Sequence, residues 1–435
     1  MNRPLSVGIA GLGTVGMGVL RLLRDNGEIV AARAGRPIAV TAVSARTRAR
    51  DRGITLSGLH WFDDPMVLAS DPAIDAVVEV IGGAEGVART LVEAALAAGK
   101  PVVTANKALL AVHGAELATL AERHGASLGF EAAVAGGLPV IKALREGLAG
   151  NRIARVAGIL NGTCNYILSM MRAEGREFAD VLAEAQRLGY AEADPSFDID
   201  GIDAAHKLAI LAAIAFGRPV AFADVYVEGI RRISALDIIF AGELGYRIKL
   251  LGIARQSDGG VALPGISARV HPCMVPASAP LARVDGVTNA IVAEGDFVGR
   301  VVLEGPGAGA GPTASAVVAD LVDLARGRLT PVWGALAAEL SPSTSLPMQM
   351  HSGCYYLRLM VVDQPGVIAD VTAVLRDLGV SLESMLQRGR APGEAVPVVL
   401  VTHETGEAAV RTALARIAAL DAVLEEPTLI RIEPG

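Results

Sequence analysis

Leu5-Ser6-Val7-Gly8-Ile9-Ala10-Gly11-Leu12-Gly13-Thr14-Val15-Gly16 decides the fold of the first part of the chain. Six β-compatible residues run directly into a G-x-G-x-x-G turn, and a helical pattern continues through Leu23. Strand, glycine turn and helix in that order form the unit on which a dinucleotide pyrophosphate sits. Gly11 permits the tight turn, and Gly13 lets backbone N–H groups approach the phosphates. Thr14 and Val15 open the helix, and Gly16 lets it pack closely on the strand. These five residues are the expected cofactor-binding turn.

Outward from this unit, Ile38–Ser44, Ala76–Ile81, Pro101–Thr104 and Ser127–Glu131 read as further strands separated by helical stretches such as Ala84–Ala98. Repeated βα units predict a doubly wound parallel sheet of Rossmann type. An NAD site normally places Asp or Glu at the end of the second strand, yet no acidic residue lies between Ile29 and Arg50. Ser44-Ala45-Arg46-Thr47-Arg48 supplies cations and hydroxyls suited to a 2′-phosphate instead. NADP is therefore the expected cofactor, with Arg46 as its contact.

A chain of 435 residues exceeds what one hydrophobic core serves, so two or three domains are expected. Its longest apolar run, Leu208–Phe216, is too short to span a bilayer despite a mean hydropathy of +0.44. The N-terminus shows no export signal, and Cys164, Cys273 and Cys354 have neither disulfide nor zinc spacing. A cytoplasmic protein is expected. The net charge of −7 without basic clusters excludes a nucleic-acid footprint, and small-molecule chemistry is favoured. Only five of the 39 basic residues are lysine, so each lysine calls for a reason.

Two segments fall where such sheets keep their ligand crevice. In Val103-Thr104-Ala105-Asn106-Lys107, Asn106 can cap a helix and leave Lys107 in its first turn. A cation is disfavoured there by the helix dipole, which favours a site role for Lys107. In Phe130–Pro139 a strand passes through a glycine loop to a helix at Pro139, and carbonyls beside Glu131 can hold a small cation.

Ala185–Lys207 carries the chemistry. A helix ends near Gly189, an acidic loop follows, and a second helix starts about Gly201. Asp203 and Lys207, four residues apart, share one face of an otherwise apolar helix. Interconverting an alcohol and a carbonyl by hydride transfer requires a general acid/base, and desolvation brings a lysine toward that role. Lys207 is the expected acid/base, with Asp203 and Glu192 as acidic partners for an amino-acid-like substrate or for the lysine. His206 lies off that face and is expected to pack or cap.

The stretch Ala185–Lys207, with its Gly189, Asp194-Pro195, Asp198, Gly201, Asp203 and Lys207, resembles the signature of homoserine dehydrogenases. The GLGTVG turn, Thr104–Lys107, Glu131–Pro139, Asn161-Gly162-Thr163 and Gly305–Gly309 resemble further landmarks in family order. The resemblance implies reversible NAD(P)H-dependent reduction of aspartate 4-semialdehyde to homoserine, on the route to threonine, methionine and isoleucine. It implies Lys207 as acid/base and Lys107 as a second essential lysine beside the nicotinamide. Glu192, Asp203 and Thr163 fall on the substrate side, and Gly189 and Gly307 on the cofactor side. It implies a monovalent cation, sodium by similarity, held by Glu131 and the carbonyls of Val134, Gly136 and Leu138. With the first strand at about residue five, the expected form is monofunctional, without a preceding aspartate kinase.

Residues 1–135 are the expected dinucleotide-binding domain, completed by about 304–335, where a helix runs from about Thr313 to Arg326. Residues 136–303 form an α+β catalytic and dimerisation domain with an open mixed sheet, its strands including Arg155–Leu160, Ala223–Glu228, Ile248–Arg255 and Gly286–Glu294. A Pro/Ser-rich stretch makes 336–353 a linker, so the catalytic body is expected to fold without the residues C-terminal to it. From 354 to 435 a βαββαβ order predicts a ferredoxin-like module. Asp363-Gln364-Pro365-Gly366-Val367 gives it the look of an ACT domain, which implies an amino-acid effector, threonine first by resemblance. A homodimer or homotetramer is expected. Two other readings share these features: a catalytically silent metabolite sensor, and a dehydrogenase acting on an amine. Glu192, Asp203 and Lys207 together favour catalysis.

Overall fold

The strand β1 (Leu5–Ala10) is buried along its whole length, as a strand covered by helices on both faces must be. The computed structural model describes residues 3–257, 264–388 and 391–434. With β2 (Ile38–Ser44), β3 (His60–Phe62), β4 (Ala76–Glu79), β5 (Val102–Thr104) and β6 (Leu128–Gly129), β1 forms a parallel sheet in the order β3-β2-β1-β4-β5-β6. The order reverses between β1 and β4, which opens a crevice at the carboxyl ends of those strands. Edge strand β3 was not expected from sequence: three residues, none fully buried, carry no periodic signal.

The helix Ala310–Ala325 returns to this first layer. A Cβ on Gly18 would stand 2.3 Å from the Ala310 carbonyl oxygen, so Gly18 admits the close crossing with helix Thr14–Ala34. At the other end, Arg36 Nε donates to Ala325 O at 3.1 Å, and Glu131 N donates to Asp320 Oδ2 at 2.9 Å.

The second sheet contains β7 (Ile153–Ile159), β8 (Tyr226–Val227), β9 (Tyr246–Ser257), β10 (Gly265–Pro276), β11 (Thr288–Gly295), β12 (Gly299–Pro306), β13 (Ser352–Val362), β14 (Leu382–Gln387), β15 (Ala395–Thr402), β16 (Thr405–Gly406) and β17 (Thr428–Ile432). Its main path is β12-β11-β7-β9-β10-β17-β13-β15-β14, with β8 beside β10 and β16 beside β13. The expected strand 223–228 shrinks to β8, because Phe222–Asp224 close a 3₁₀ turn. The expected helix at Pro139 is one α-turn, Val140–Lys142, that widens into a π-turn, Ala143–Gly147. β10 carries two prolines, which argue against a central strand in sequence. Pro272 is tolerated because β8 pairs at Arg269–Val270 and β17 at Cys273–Met274, leaving position 272 in the gap between them.

The body and the C-terminal module do not meet through a free linker. β10 and β17 pair in parallel and make their sheets one. Tyr356, Val399 and Ile430 of the module join the same apolar cluster as Ile248 and Met274 of the body. Arg358 Nε reaches the fully buried Asp237 at 2.7 Å, and Arg269 pairs with Glu433 at 2.5 Å. Within the stretch expected as linker, Ile266 N donates to Thr344 O at 2.9 Å and Leu346 N to Ile266 O at 2.8 Å. Just before it, Trp333 is buried against Phe130, ring centroids 5.2 Å apart. The Pro/Ser composition reflects extended, docked chain rather than freedom.

No helix among the described residues is long and apolar enough to cross a membrane. The three cysteines are free. None of the five lysines is exposed. Lys100 bonds the Leu68 and Asp71 carbonyls, Lys142 reaches Asp320 and Asp323, and Lys249 reaches Asn165, Val284 O and Asp285. The other two meet in the crevice.

Candidate active site

The glycine turn takes the form its spacing requires. Gly11 lies at φ +105°, where a Cβ would meet the Val80 carbonyl oxygen at 2.6 Å. A Cβ on Gly16 would stand 2.0 Å from Gly11 O, whereas one on Gly13 would find nothing within 4 Å. Gly13, Thr14 and Val15 therefore present the N-terminus of helix Thr14–Ala34 to open space, where its free N–H groups suit phosphate. Gly11 N donates to Ser44 O at 2.9 Å, tying this turn to the end of β2. Arg46 follows there, exposed, while the Arg48 and Arg52 guanidinium groups lie over the Trp61 ring at 5.9 and 5.4 Å.

Across the crevice a buried network fixes the ends of β4 and β5. Glu79 accepts from Ile81 N at 2.8 Å, Gly82 N at 3.0 Å and Thr104 Oγ1 at 2.6 Å. Thr104 Oγ1 accepts from Asn106 N at 2.9 Å, and Asn106 Oδ1 caps helix Lys107–Arg123 through Leu109 N at 3.1 Å. Lys107 is thereby held in the first turn.

Asp203 is the hub. Its Oδ1 pairs with Lys107 Nζ at 2.8 Å, and its Oδ2 accepts from Lys207 Nζ and Asn161 Nδ2, both at 2.8 Å. Lys207 Nζ also donates to Leu160 O at 2.7 Å, which leaves one N–H for a ligand. Asn289 Nδ2 donates to the same carbonyl at 3.2 Å, and Asn289 is packed so tightly on Gly307 that a Cβ there would fall 2.1 Å from its Cγ. Asn161 further donates to Asp198 Oδ1 at 2.8 Å. Thr163 Oγ1 donates to Tyr190 O at 2.8 Å, with Asp198 Oδ2 the more distant acceptor for the same hydrogen at 3.2 Å.

Burial lowers the Lys207 ammonium below its ordinary pKa, and the Lys107 charge adds to this while Asp203 opposes it. Burial works the same way on Lys107, but Asp203, with Asp198 and Glu192 behind it, holds that ammonium above its usual value. Burial would raise Asp203, yet the two lysines keep it well below the ordinary carboxylate range. The hub is one carboxylate shared by two ammonium groups, one of them short of charge stabilisation. His206 packs between Phe197 and Phe222, ring centroids 5.5 and 4.3 Å away, and burial lowers its pKa.

Glu131 lies apart from this hub. Its Oε1 and Oε2 each accept a backbone N–H, from Ile141 and Lys142, both at 2.9 Å. Burial, with the Asp320 charge behind it, pushes its carboxyl up to about 7. Ala135, at φ +48°, turns the chain between Val134 and Gly136, and Leu138 O accepts from Val140 N at 2.8 Å.

The structure thus brings Lys107, Asp203, Lys207 and Thr163 together, with Gly307 behind Leu160. Glu192 is exposed on the acidic loop, close enough for its charge to act on Lys107, and Gly189 turns that loop at φ +78°. Sequence reasoning missed Glu79 and Asn289, and it named Asn161 only within the Asn161-Gly162-Thr163 landmark, without its bonds to Asp198 and Asp203. A polar residue standing inside a strand or just after one was the available signal for each.

Residues 139–322 match the family model described as Homoserine dehydrogenase, residues 11–131 that described as Homoserine dehydrogenase, NAD binding domain, and residues 355–421 the ACT domain. A curated homoserine dehydrogenase from Pseudomonas aeruginosa is 48% identical, covering 99% of each chain. The crystal structure of a homoserine dehydrogenase from Thiobacillus denitrificans aligns with a TM-score of 0.93 at 50% identity, again over 99% of each chain. A hyperthermophilic archaeal homoserine dehydrogenase in complex with NADPH aligns over 76% of this chain and all of its own, at 29% identity and a TM-score of 0.64.

Proposed function

The chain belongs to the homoserine dehydrogenase family, and we propose that it reduces L-aspartate 4-semialdehyde to L-homoserine with NADPH, Lys207 giving the proton to the new alcohol. The observation that carries this reading is the Asp203 bridge between Lys107 and a buried Lys207 with one N–H to spare. When bound at the glycine turn, the nicotinamide supplies the hydride. Lys207, held between Leu160 O and Asp203, presents its free N–H to the carbonyl oxygen as charge develops there, and its lowered pKa favours transfer. Lys107 stands on the cofactor side of Asp203. Glu192 and Asp203 suit the substrate ammonium, and Thr163 orders the loop that carries Glu192. Gly189 and Gly307 are the turns on the cofactor side. The test is the initial rate of NADPH oxidation with aspartate semialdehyde; no turnover of that aldehyde would overturn the reading.

Preference for NADP over NAD is supported by the absence of an acid at the end of β2, by exposed Arg46, and by the related archaeal NADPH complex. A sodium-like cation at Glu131 and the Val134, Gly136 and Leu138 carbonyls is supported by a buried carboxyl that burial and the neighbouring Asp320 raise, a cost that a bound cation would offset. The ACT domain supports an amino-acid effector, threonine first, and the protein is read as a cytoplasmic homodimer or homotetramer.

A further inference from the structure

The segment Tyr226–Arg231 touches the C-terminal module at one end and the acidic loop of the active site at the other. At the module end, Arg431 of β17 is fully buried and stacks 5.3 Å over the Tyr226 ring. Its Nη1 donates to Glu228 Oε2 at 3.0 Å, and its Nε and Nη2 donate to Glu407 at 3.1 and 2.5 Å. Tyr226 Oη donates to Glu228 Oε2 at 2.8 Å, and Arg411 Nη2 donates to Tyr226 Oη at 3.0 Å. Two carboxylates and two guanidinium groups thus neutralise one another across the junction.

At the other end the same segment grips residues 196–201 at three points. A Cβ on Gly229 would fall 2.2 Å from Ile199 O and 2.5 Å from Asp200 Cα, so the two backbones are in direct contact. Ile230 N donates to Ile199 O at 2.9 Å. Arg231 pairs with Asp200 and donates to Ser196 Oγ at 3.0 Å. Asp198 lies inside the gripped residues, and Asp203 begins the helix that leaves them.

We propose that Glu228 and Gly229 are positioning residues through which the C-terminal module sets the geometry of Asp198 and Asp203, and hence of Lys207. The proposal rests on the reading of Asp203 and Lys207 as catalytic. A shift of Arg431 pulls on Glu228, and Gly229, one residue on, has no slack against Ile199. The module therefore acts on the active site through contact of rigid parts.

The test compares Glu228→Gln with Arg388→Ala in the full chain. Arg388 also spans body and module, through Glu243 at 2.6 Å, but has no part in the 196–201 grip. Glu228→Gln should lower kcat by about 10-fold, since displacements of an ångström or less cost up to ~100-fold. NADPH affinity, read by fluorescence titration, should not change. Hydrogen exchange in peptides covering Ser196–Asp203 should quicken, with no change at Gly11–Gly16, and Arg388→Ala should leave all of these as in the unaltered chain. If Glu228→Gln does not yield folded protein, Tyr226→Phe removes the hydroxyl that bonds Glu228 and accepts from Arg411 and Arg431, leaves the Arg431–Glu228 pair in place, and should give the same pattern more weakly. Faster exchange with unaltered kcat would overturn the proposal, as would equal effects of the Glu228 and Arg388 variants. Exchange does not depend on turnover, so an inactive unaltered chain would sink the assigned reaction while the mechanical link is still measured.

Discussion

Lys207 is caught between burial, which lowers its pKa, and Asp203, which raises it. Reduction needs the ammonium, so kcat/KM for the aldehyde should fall as pH rises through that lowered pKa, while homoserine oxidation, which needs the free amine, should rise over the same range. Asp203→Asn removes the supporting charge and should move both limbs to lower pH; limbs that stay in place would assign the titration to another group. Lys207→Ala should cut turnover by ~10²–10⁴-fold, as losing an acid/base does, with NADPH binding retained. At the other end of the crevice, Arg46→Ala should weaken NADPH much more than NADH, because only the former carries a 2′-phosphate. Equal losses in paired titrations would make Arg46 structural. The Asp203–Lys207 relation was legible in sequence because four residues on a helix put side chains on one face. The partnership of Asp203 with Lys107 was not, since those residues meet only once the first sheet and the helix Ile202–Phe216 are docked.

At the scale of elements, the glycine turn and its βα repeats were legible because local φ and short continuous apolar runs, buried on both faces, leave marks in sequence. β10 was not, because its tolerance for Pro272 depends on which neighbours fail to pair beside it. The turn from Phe130 to Pro139 was recognisable as a turn, but that Glu131 spends both oxygens on the amides of Ile141 and Lys142 was hidden from sequence. If that turn holds a monovalent cation, sodium chloride should raise Tm above tetramethylammonium chloride at equal ionic strength, because a ligand that binds only the folded state stabilises it. Glu131→Gln should erase the difference. Identical melting in the two salts would leave the turn without a cation.

For the whole molecule, the β10–β17 pairing reverses the expectation drawn from the Pro/Ser-rich stretch. A chain ending near Ser345 would uncover the β10 edge and the apolar residues beneath Tyr356 and Ile430, and open strand edges beside bare apolar surface aggregate. It should be recovered mainly as insoluble material, or melt well below the full chain; a soluble, fully active truncation would show the body to be self-sufficient. Composition could not reveal this, because docked and free extended segments use the same residues. The placing of the lysines has a different reach, into reactivity. Guanidinium groups resist acylation at neutral pH, and every side-chain amine is at least partly covered and hydrogen-bonded. Acetylating agents and amine cross-linkers should therefore find little purchase on the outer surface, with side-chain adducts confined to the half-covered Lys100, Lys107 and Lys142. Bound NADPH should shield Lys107 and leave Lys100 open, a pattern that peptide mass spectrometry can read directly; adducts spread evenly over all five lysines would mean that their amines are freer than these bonds allow.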